Sequence, residues 1–577
     1  MGPRVANVRS KTKNPAPSAR RRGLSALSLS KGGRRDQGVD PAIFAITAAL
    51  LAVYLALGAK ALNLDGLGYA GRVESGDPMQ LLLPGHLLYG PLMNALYRLV
   101  CVISPGLDAA RLMQVADAVF AAVGVGVFIS ALRRLAVGRF AAIAAGVALG
   151  FTYTYWTHAT DLTTYALSTL CLICAFHILC AARARAKSPH IWGVGAMVAL
   201  ATLIHQSNVV FLPAAMIGVV GISRAGSRTA LKVAAICLAI IFIAYGVLGW
   251  AATGSSSPAV IAKWAAGGAH GWTPTIEPVN LARGVYGFAN AVIYLDDAGT
   301  IIKGSAAGIS GSDLSGSALA RLAGKTVLLG LILLAAYAKK RRLGADQRWA
   351  AGLCVAWIVP YTLVALVFFT TDHDRWIMLM PAVAALAAIA HPKPSSRGKL
   401  AAVGVVAVLF SLNLTSAIFP AHTGASNKYY QEAQRFAPRL AATDLVIFWG
   451  HDHLGTAGYL RQMKHVEAVH IINTVLKGGK RKGLSDLTKM VDDALASNRR
   501  VLVIGLYGSR DSAGDYLSEA HALGLTRSEV EQALSGFTVR PLFHCGGCMV
   551  YELTSAEHAS LPFRIRHSPF PIPGGPA

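Results

Sequence analysis

The sequence predicts a polytopic α-helical membrane protein, with about 11 transmembrane helices followed by a C-terminal α/β domain outside the membrane. Three observations lead there. Apolar residues make up 54 % of the 577-residue chain and charged residues only 14 %, with a mean hydropathy of +0.47. That is too little charge to cover a soluble protein of this length. Apolar runs of bilayer-spanning length, about 18 to 25 residues, recur between residues 42 and 420. Beyond Pro420 the apolar runs shorten to strand length and charge rises. A transmembrane β-barrel would instead show short alternating strands throughout.

Residues 1–41 form a basic tail (RSKTK, ARRRG, KGGRR) rich in Ser, Gly, Pro and Arg, the composition of a disordered segment. The first span begins near Ala42. It is long enough to cross and no convincing small-residue cleavage site follows, so it reads as a signal anchor. The spans fall at roughly 42–61, 109–132, 140–157, 162–182, 191–205, 208–223, 230–252, 326–338, 349–370, 376–391 and 400–419. Lys and Arg gather at alternate connections: Arg133, Arg134 and Arg139, then Arg183, Arg185 and Lys187, then Arg224, Arg228 and Lys232. Lys339, Lys340, Arg341 and Arg342 continue the series, with Lys393, Arg397 and Lys399. The positive-inside rule puts these and the N-terminus in the cytoplasm and the C-terminus outside, in a multi-pass arrangement in the cytoplasmic (inner) membrane. The net charge of +25 thus records topology and contact with membrane lipids. No basic groove with interleaved aromatics points to nucleic acid.

This orientation gathers the polar features without an obvious structural task on the outer side of the 42–420 domain. The first outer loop, 62–107, is long for a connection between neighbouring spans. It carries Asp65 just past the first span, among Gly66, Gly68 and Tyr69, then Glu74 and Asp77. Each acid is a solvated loop carboxylate or a catalytic one. His86 and Tyr89 open the apolar stretch LLYGPLMNALYRLVCVI, where Pro91 and Asn94 favour a helix lying in the interface over a full span. His158 and Asp161 occupy the HATD turn; Asp161 is either the N-cap of the next helix or part of an outer cavity with Asp65. His205 and Gln206 interrupt an apolar sequence, as a simple turn or as a site. His373 and Arg375 lie in TTDHDRW, and Arg375 is a basic residue against the charge bias, with a guanidinium suited to a phosphate oxygen pair. A second long outer loop, 253–325, completes this face.

Residues 421–577 read as a small extracytoplasmic α/β domain ending in a disordered tail. Strand-like DLVIFWG, AVHIINTVL, RRVLVIGLYG and FTVRPLFH alternate with helical SDLTKMVDDALAS and GDYLSEAHALG, the pattern of a largely parallel sheet. No GxGxxG or P-loop opens its helices. Cys545 and Cys548 form HCGGC, open to a local disulfide, free thiols or half a zinc site. The other cysteines lie in apolar stretches as small hydrophobes.

The order and shared side of Asp65, the HxLY-type segment His86 to Tyr89, Asp161 and DRWIMLMP resemble the GT-C superfamily of membrane glycosyltransferases. The nearest types are bacterial protein O-mannosyltransferases and aminoarabinose transferases. The resemblance spans most of residues 42–420. It implies an inverting transfer of sugar from a polyprenyl-phosphate donor to a lipid, glycan or protein acceptor on the outer face. Asp65 would be the base, and Arg375 with His86 would stabilise the departing phosphate, Tyr89, His158, His205, Gln206 and His373 being further candidates for donor or substrate contact. Glu74, Asp77 and Asp161 are second acids. No metal or other cofactor is required by this chemistry, although outward carboxylates are able to hold a divalent cation. The competing classes are a transporter or flippase of a lipid-linked solute, which would line a route through the membrane, and a non-catalytic envelope scaffold.

The charge asymmetry makes topology testable. Reporter fusions after Lys340 should read cytoplasmic, and fusions after Asp297 or Asn427 should read outside; a cytoplasmic Asn427 fusion would reverse the assignment.

Overall fold

The computed structural model describes residues 40–185, 191–222, 226–267, 279–295, 343–368, 372–425, 427–449, 454–471, 475, 479–507, 524–545 and 548–555. Residues 1–39 of the basic tail, the expected span at 326–338, most of the 253–325 loop and all of the GDYLSEAHALG segment but its last glycine lie outside these residues. So do the side chains of Cys545 and Cys548.

The helical part begins with α1 (Pro41–Ala56), α2 (Leu64–Ser75), α3 (Pro78–Leu81), α4 (Tyr89–Ile103), α5 (Ala109–Arg134) and α6 (Arg139–Gly150). It continues with α7 (Tyr153–Thr160), α8 (Tyr165–Arg185), α9 (Trp192–Ile204), α10 (Leu212–Val220), α11 (Gly226–Thr253), α12 (Pro258–Gly267) and α13 (Val279–Val292). After the undescribed stretch come α14 (Ala345–Val367), a 3-10 turn His373–Leu379 running into α15 (Met380–Ala390), and α16 (Ser396–Asn413). Six helical segments among the described residues are long and apolar enough to cross a membrane: Ala109–Arg134, Tyr165–Ala184, Gly226–Thr253, Ala345–Val367, His373–Ala390 and the run starting at Ser396. Pro41–Ala56, Arg139–Gly150, Trp192–Ile204 and Gln206–Val220 are apolar but shorter. The protein is a helical membrane protein.

The sequence between α1 and α5 folds as its punctuation directs. Asn63 caps α2 by accepting from the Asp65 N–H at 2.9 Å, and Gly76, at φ 65°, ends it in the left-handed conformation. Asp77 caps the short α3 by accepting from Met79 N–H at 3.0 Å. The following α4 buries Tyr89 and Met93 and exposes Leu92, Leu99, Val102 and Ile103, the two-faced helix expected of an interfacial segment.

Beyond α16, α17 (Phe419–Thr423) and α18 (Lys428–Phe436) lead into a five-stranded sheet: β1 (Leu445–Phe448), α19 (Leu454–Lys464), β2 (Glu467–His470), α20 (Lys480–Ala496), β3 (Val501–Ile504), α21 (Arg527–Ala533), β4 (Phe537–Cys545) and β5 (Cys548–Ser555). The strand order is β2-β1-β3-β5-β4. β1 pairs parallel with β2 and β3, as the strand–helix alternation predicts. β5 was not expected; it runs antiparallel to both β3 and β4 and makes the sheet mixed. The signal for it is Gly546–Gly547 between two strand-forming runs, a hairpin sequence. Cys545 and Cys548 pair across that hairpin through their backbones.

Side-chain alternation gives the sheet two working faces. Leu445, Ile447, Val501, Val503 and Leu553 pack with Leu487, Val491 and Val530 of α20 and α21. Val446, Phe448, Leu502, Ile504 and Val550 face the other way and belong to the same continuous core as the membrane helices. The described residues from Ala42 onward accordingly form one compact unit.

One close approach sets where α2 sits. A Cβ on Gly66 would lie 2.4 Å from the Leu162 carbonyl oxygen and 2.6 Å from Leu162 Cβ. Ala would otherwise favour the helix by about 1 kcal/mol, but backbone cannot yield cheaply at 2.4 Å, and overpacking costs about 1–3 kcal/mol. Gly66→Ala should therefore lower the thermal midpoint of detergent-solubilised protein; an unchanged or raised midpoint would refute this packing.

Candidate functional site

The site begins with a peptide unit. The Asn63 N–H donates to both oxygens of Asp161, at 3.0 and 3.1 Å, and the Leu162 N–H donates to the same carboxylate at 2.7 Å. Asp161 sits between α7 and α8, so it fastens the start of α2 to that turn. Around it, Gln114 of α5 donates to the carbonyls of Ala59 and Thr160 at 2.8 and 2.7 Å, and Ala59 N–H donates to the Thr160 carbonyl at 2.8 Å. Asp65 follows in the first turn of α2. It is exposed, and its carboxylate accepts no hydrogen bond among the described residues. It is held by its backbone and free at its oxygens.

From α2 a chain of rings crosses the ends of four helices. Tyr69 meets His86 and Tyr89 edge-on, each at 5.6 Å between centroids. His86 meets His205 at 4.9 Å, His205 meets Tyr165 at 4.7 Å, and Tyr165 meets His158 at 4.6 Å. His158 stacks over His373 at 6.3 Å, and His373 lies against Tyr153 at 4.7 Å. His86 Nδ1 is 3.2 Å from the Ile204 carbonyl and His205 Nδ1 is 2.7 Å from Ser207 Oγ. His205 Nε2 is buried with no hydrogen-bond partner among the described residues.

Charged groups bracket this chain. Asp374 Oδ1 lies 3.0 Å from His158 Nε2 and 3.1 Å from His373 Nε2. Asp372 accepts from Asp374 N–H at 3.0 Å, and its Oδ2 is 3.5 Å from Arg375 Nε. Thr154 Oγ1 donates to the His373 carbonyl at 3.1 Å, tying this segment to α7. The electrostatics of Tyr69 join the two ends: burial raises its hydroxyl most, Asp65 raises it further, and Arg72 and Arg375 lower it. A carboxylate on α2 and a guanidinium before α15 therefore act on one phenol.

Asp372, His373 and Asp374 offer ligand atoms within 4.8 Å of one another, a grouping that could hold a metal ion. A hard carboxylate pair with one imidazole suits a divalent cation, although Asp374 already faces two imidazoles and Asp372 faces a guanidinium.

Of the residues singled out from the sequence, Asp65, His86, Tyr89, His158, Asp161, His205, His373 and Arg375 come together here. Glu74 does not: at the far end of α2 it accepts from Ala109 N–H at 3.2 Å. Burial, and then the nearby Asp108, raises its carboxyl. Asp77 caps α3 and also accepts from Gln80 Nε2 at 2.8 Å. Gln206 is exposed at the start of a 3-10 turn. Cys545 and Cys548 belong to the hairpin. Sequence reasoning missed Tyr69, Tyr165, Asp374 and Asp117. Asp117 is fully buried in α5 and accepts from Thr163 N–H at 2.9 Å. It is the neighbouring carboxylate that, after burial, most raises the Tyr89 hydroxyl. A lone Asp inside an apolar span was the available signal.

Fold and site together define a helical membrane protein with a carboxylate, imidazoles and a guanidinium gathered where α2, α8, α9 and α15 begin or end. Neither a protein-family profile nor a curated protein matches the sequence. Among solved structures, apo ArnT from Cupriavidus metallidurans is similar with a TM-score of 0.51 and 12 % identity, over 89 % of this chain and 97 % of that one. The same protein bound to undecaprenyl phosphate gives 0.49 and 14 %, over 89 % and 97 %. The apo oligosaccharyltransferase of Archaeoglobus fulgidus gives 0.46 and 13 %, over 88 % of this chain and 74 % of that one. The likeness to apo ArnT shows a shared fold.

Asp161 supplies a pH test. Burial, set against the N–H donors of Asn63 and Leu162, pushes its carboxyl up to about 6. A carboxyl raised above its unfolded value of about 3.9 holds its proton longer in the native state. Its contribution to stability is full below that unfolded value and is lost as pH rises through about 6. Melting curves between pH 4 and pH 8 should therefore lose this slope in Asp161→Asn, whereas an unchanged profile would contradict the assignment.

Proposed function

We propose that this protein is an inverting membrane glycosyltransferase that moves a sugar from a polyprenyl-phosphate donor to an acceptor on the outer face of the cytoplasmic membrane. The observation that supports the reading is the chain of rings that runs from Tyr69, in the helix that carries Asp65, to His373, two residues before Arg375. A base and a phosphate-binding cation are the two groups a single displacement needs. The shared fold with apo ArnT, a protein that binds undecaprenyl phosphate, supports a lipid phosphate as the leaving group. The exposed apolar face of α4 supports a donor presented from the bilayer surface.

In this scheme the acceptor hydroxyl or amine gives its proton to Asp65 as its oxygen or nitrogen bonds to the anomeric carbon. The bond from that carbon to the phosphate oxygen breaks on the opposite side, which inverts the centre. The electron pair leaves with the lipid phosphate, whose growing charge Arg375 stabilises, with imidazole N–H groups of the ring chain as further donors. The displacement needs no cofactor. A divalent cation on Asp372, His373 and Asp374 would add charge stabilisation on the same side as Arg375. The clustering of most of the candidate polar groups at helix ends, among the described residues, favours transfer over transport.

Asp65→Asn keeps size and shape but removes the base, and turnover of lipid-linked sugar should fall by about 10²–10⁴-fold with donor binding retained. Arg375→Ala should weaken donor affinity as well as rate. Parental turnover by purified Asp65→Asn would end the assignment.

A further inference from the structure

The peptide unit that launches α2 is held at both poles. Its N–H, on Asn63, donates to Asp161; its carbonyl, on Leu62, accepts from the Tyr459 hydroxyl at 2.8 Å. Tyr459 belongs to α19, in the sheet-bearing part of the chain, and is fully buried. Asn427 Nδ2 donates to the same hydroxyl at 3.2 Å, which leaves the tyrosine proton aimed at Leu62. The rest of α19 follows α2 closely. A Cβ on Gly455 would lie 2.8 Å from the Leu64 side chain, and one on Gly458 would lie 3.2 Å from that of Leu67. One turn further, Gln462 Nε2 is 3.3 Å from Asp108 Oδ2, beside the Ala109 N–H that Glu74 of α2 holds. α19 is thus fastened near both ends of the helix that carries Asp65.

We propose that Tyr459 is a positioning residue for Asp65, through which the C-terminal α/β segment sets the height and pitch of α2 in the site. This rests on the reading of Asp65 as the base. The physical reason is leverage: Leu62 precedes the N-cap of α2, and Asp65 stands in the first turn. The carboxylate makes no hydrogen bond of its own among the described residues, so its position derives from the backbone alone. A displacement of about 1 Å at a reacting group costs as much as 10²-fold in rate. A loosened Leu62 carbonyl therefore registers in kcat before it registers in binding, since the phosphate contacts come from Arg375 on another element.

The test compares three full-length purified variants. Tyr459→Phe removes only the hydroxyl. Tyr54→Phe removes an equivalent buried hydrogen bond, to the Gly150 carbonyl at 2.9 Å, away from α2. Asp65→Asn monitors the base. Amide exchange over residues 63–70 and kinetics with a lipid-linked sugar are measured on each. Tyr459→Phe should speed exchange in α2 several-fold and lower kcat roughly tenfold with the donor KM unchanged. Tyr54→Phe should change neither, even where its melting temperature falls as far. Wild-type exchange in α2, or faster exchange with unchanged kcat, would overturn the proposal. Parental turnover by Asp65→Asn would instead defeat the reading of the base, and the exchange measurement would still decide whether Tyr459 holds α2.

Discussion

The carboxylate of Asp161 grips the N–H of a residue 98 positions earlier in the chain, and the placement of the candidate site follows from that grip. Loop backbone emerging from a bilayer has polar groups that must be satisfied locally or in water. Here the satisfaction is specific: Asp161, Gln114 and the carbonyls of Ala59 and Thr160 lock the exit of α1 against the turn before α8. The lock is strained electrostatically, because burial opposes the charge that makes Asp161 a good acceptor. Gly66 adds a steric condition, since only a residue without Cβ lets α2 lie on the Leu162 carbonyl. With α2 so placed, Tyr69 reaches His86 and Tyr89, and the ring chain has its first member.

That chain is a way of building a polar site from residues that also pack. An imidazole or phenol presents an apolar body to its neighbours and a polar edge to a ligand. Rings that meet edge-on near Tyr89 and tilted or stacked toward Tyr153 therefore pack directly on one another. The charges stand at the margins, Asp65 at one end and Asp372, Asp374 and Arg375 at the other. The ion pairs at the second end restrain one another, whereas Asp65 is restrained only through its backbone.

How much of this is legible in the sequence depends on the range of the signal. Hydropathy is a local property, and α5, α8, α11 and α14 coincide closely with the expected spans. Punctuation is local too: Asn63, Asp77 and Asp108 cap helices as such residues do. Convergence is not local. Asp65, His158, His205 and Arg375 carry signals as unusual residues for their positions, but so do Glu74, Asp77 and Gln206, and nothing in spacing separates the two sets. Glu74 is one helix length from Asp65 and so points to α5 instead. Asp117 shows the converse: an acid embedded in Ala and Val was visible, yet its partners, the Thr163 amide and Tyr89, lie in other elements. β5 escaped because VYELTS is short and mixed, and it becomes a strand by pairing with β3 and β4.

The two bonds on the Leu62–Asn63 peptide have an unequal history during synthesis. Asp161 follows Asn63 by 98 residues, but Tyr459 follows Leu62 by 397. At a translation rate of about 5–20 residues per second, the interval between them is on the order of tens of seconds. Until then, of the two bonds, only the one from Asn63 to Asp161 is available to the segment that carries Asp65. The Tyr459 hydroxyl and the α19 packing against Leu64 and Leu67 thus reach α2 only after the helical part has been made.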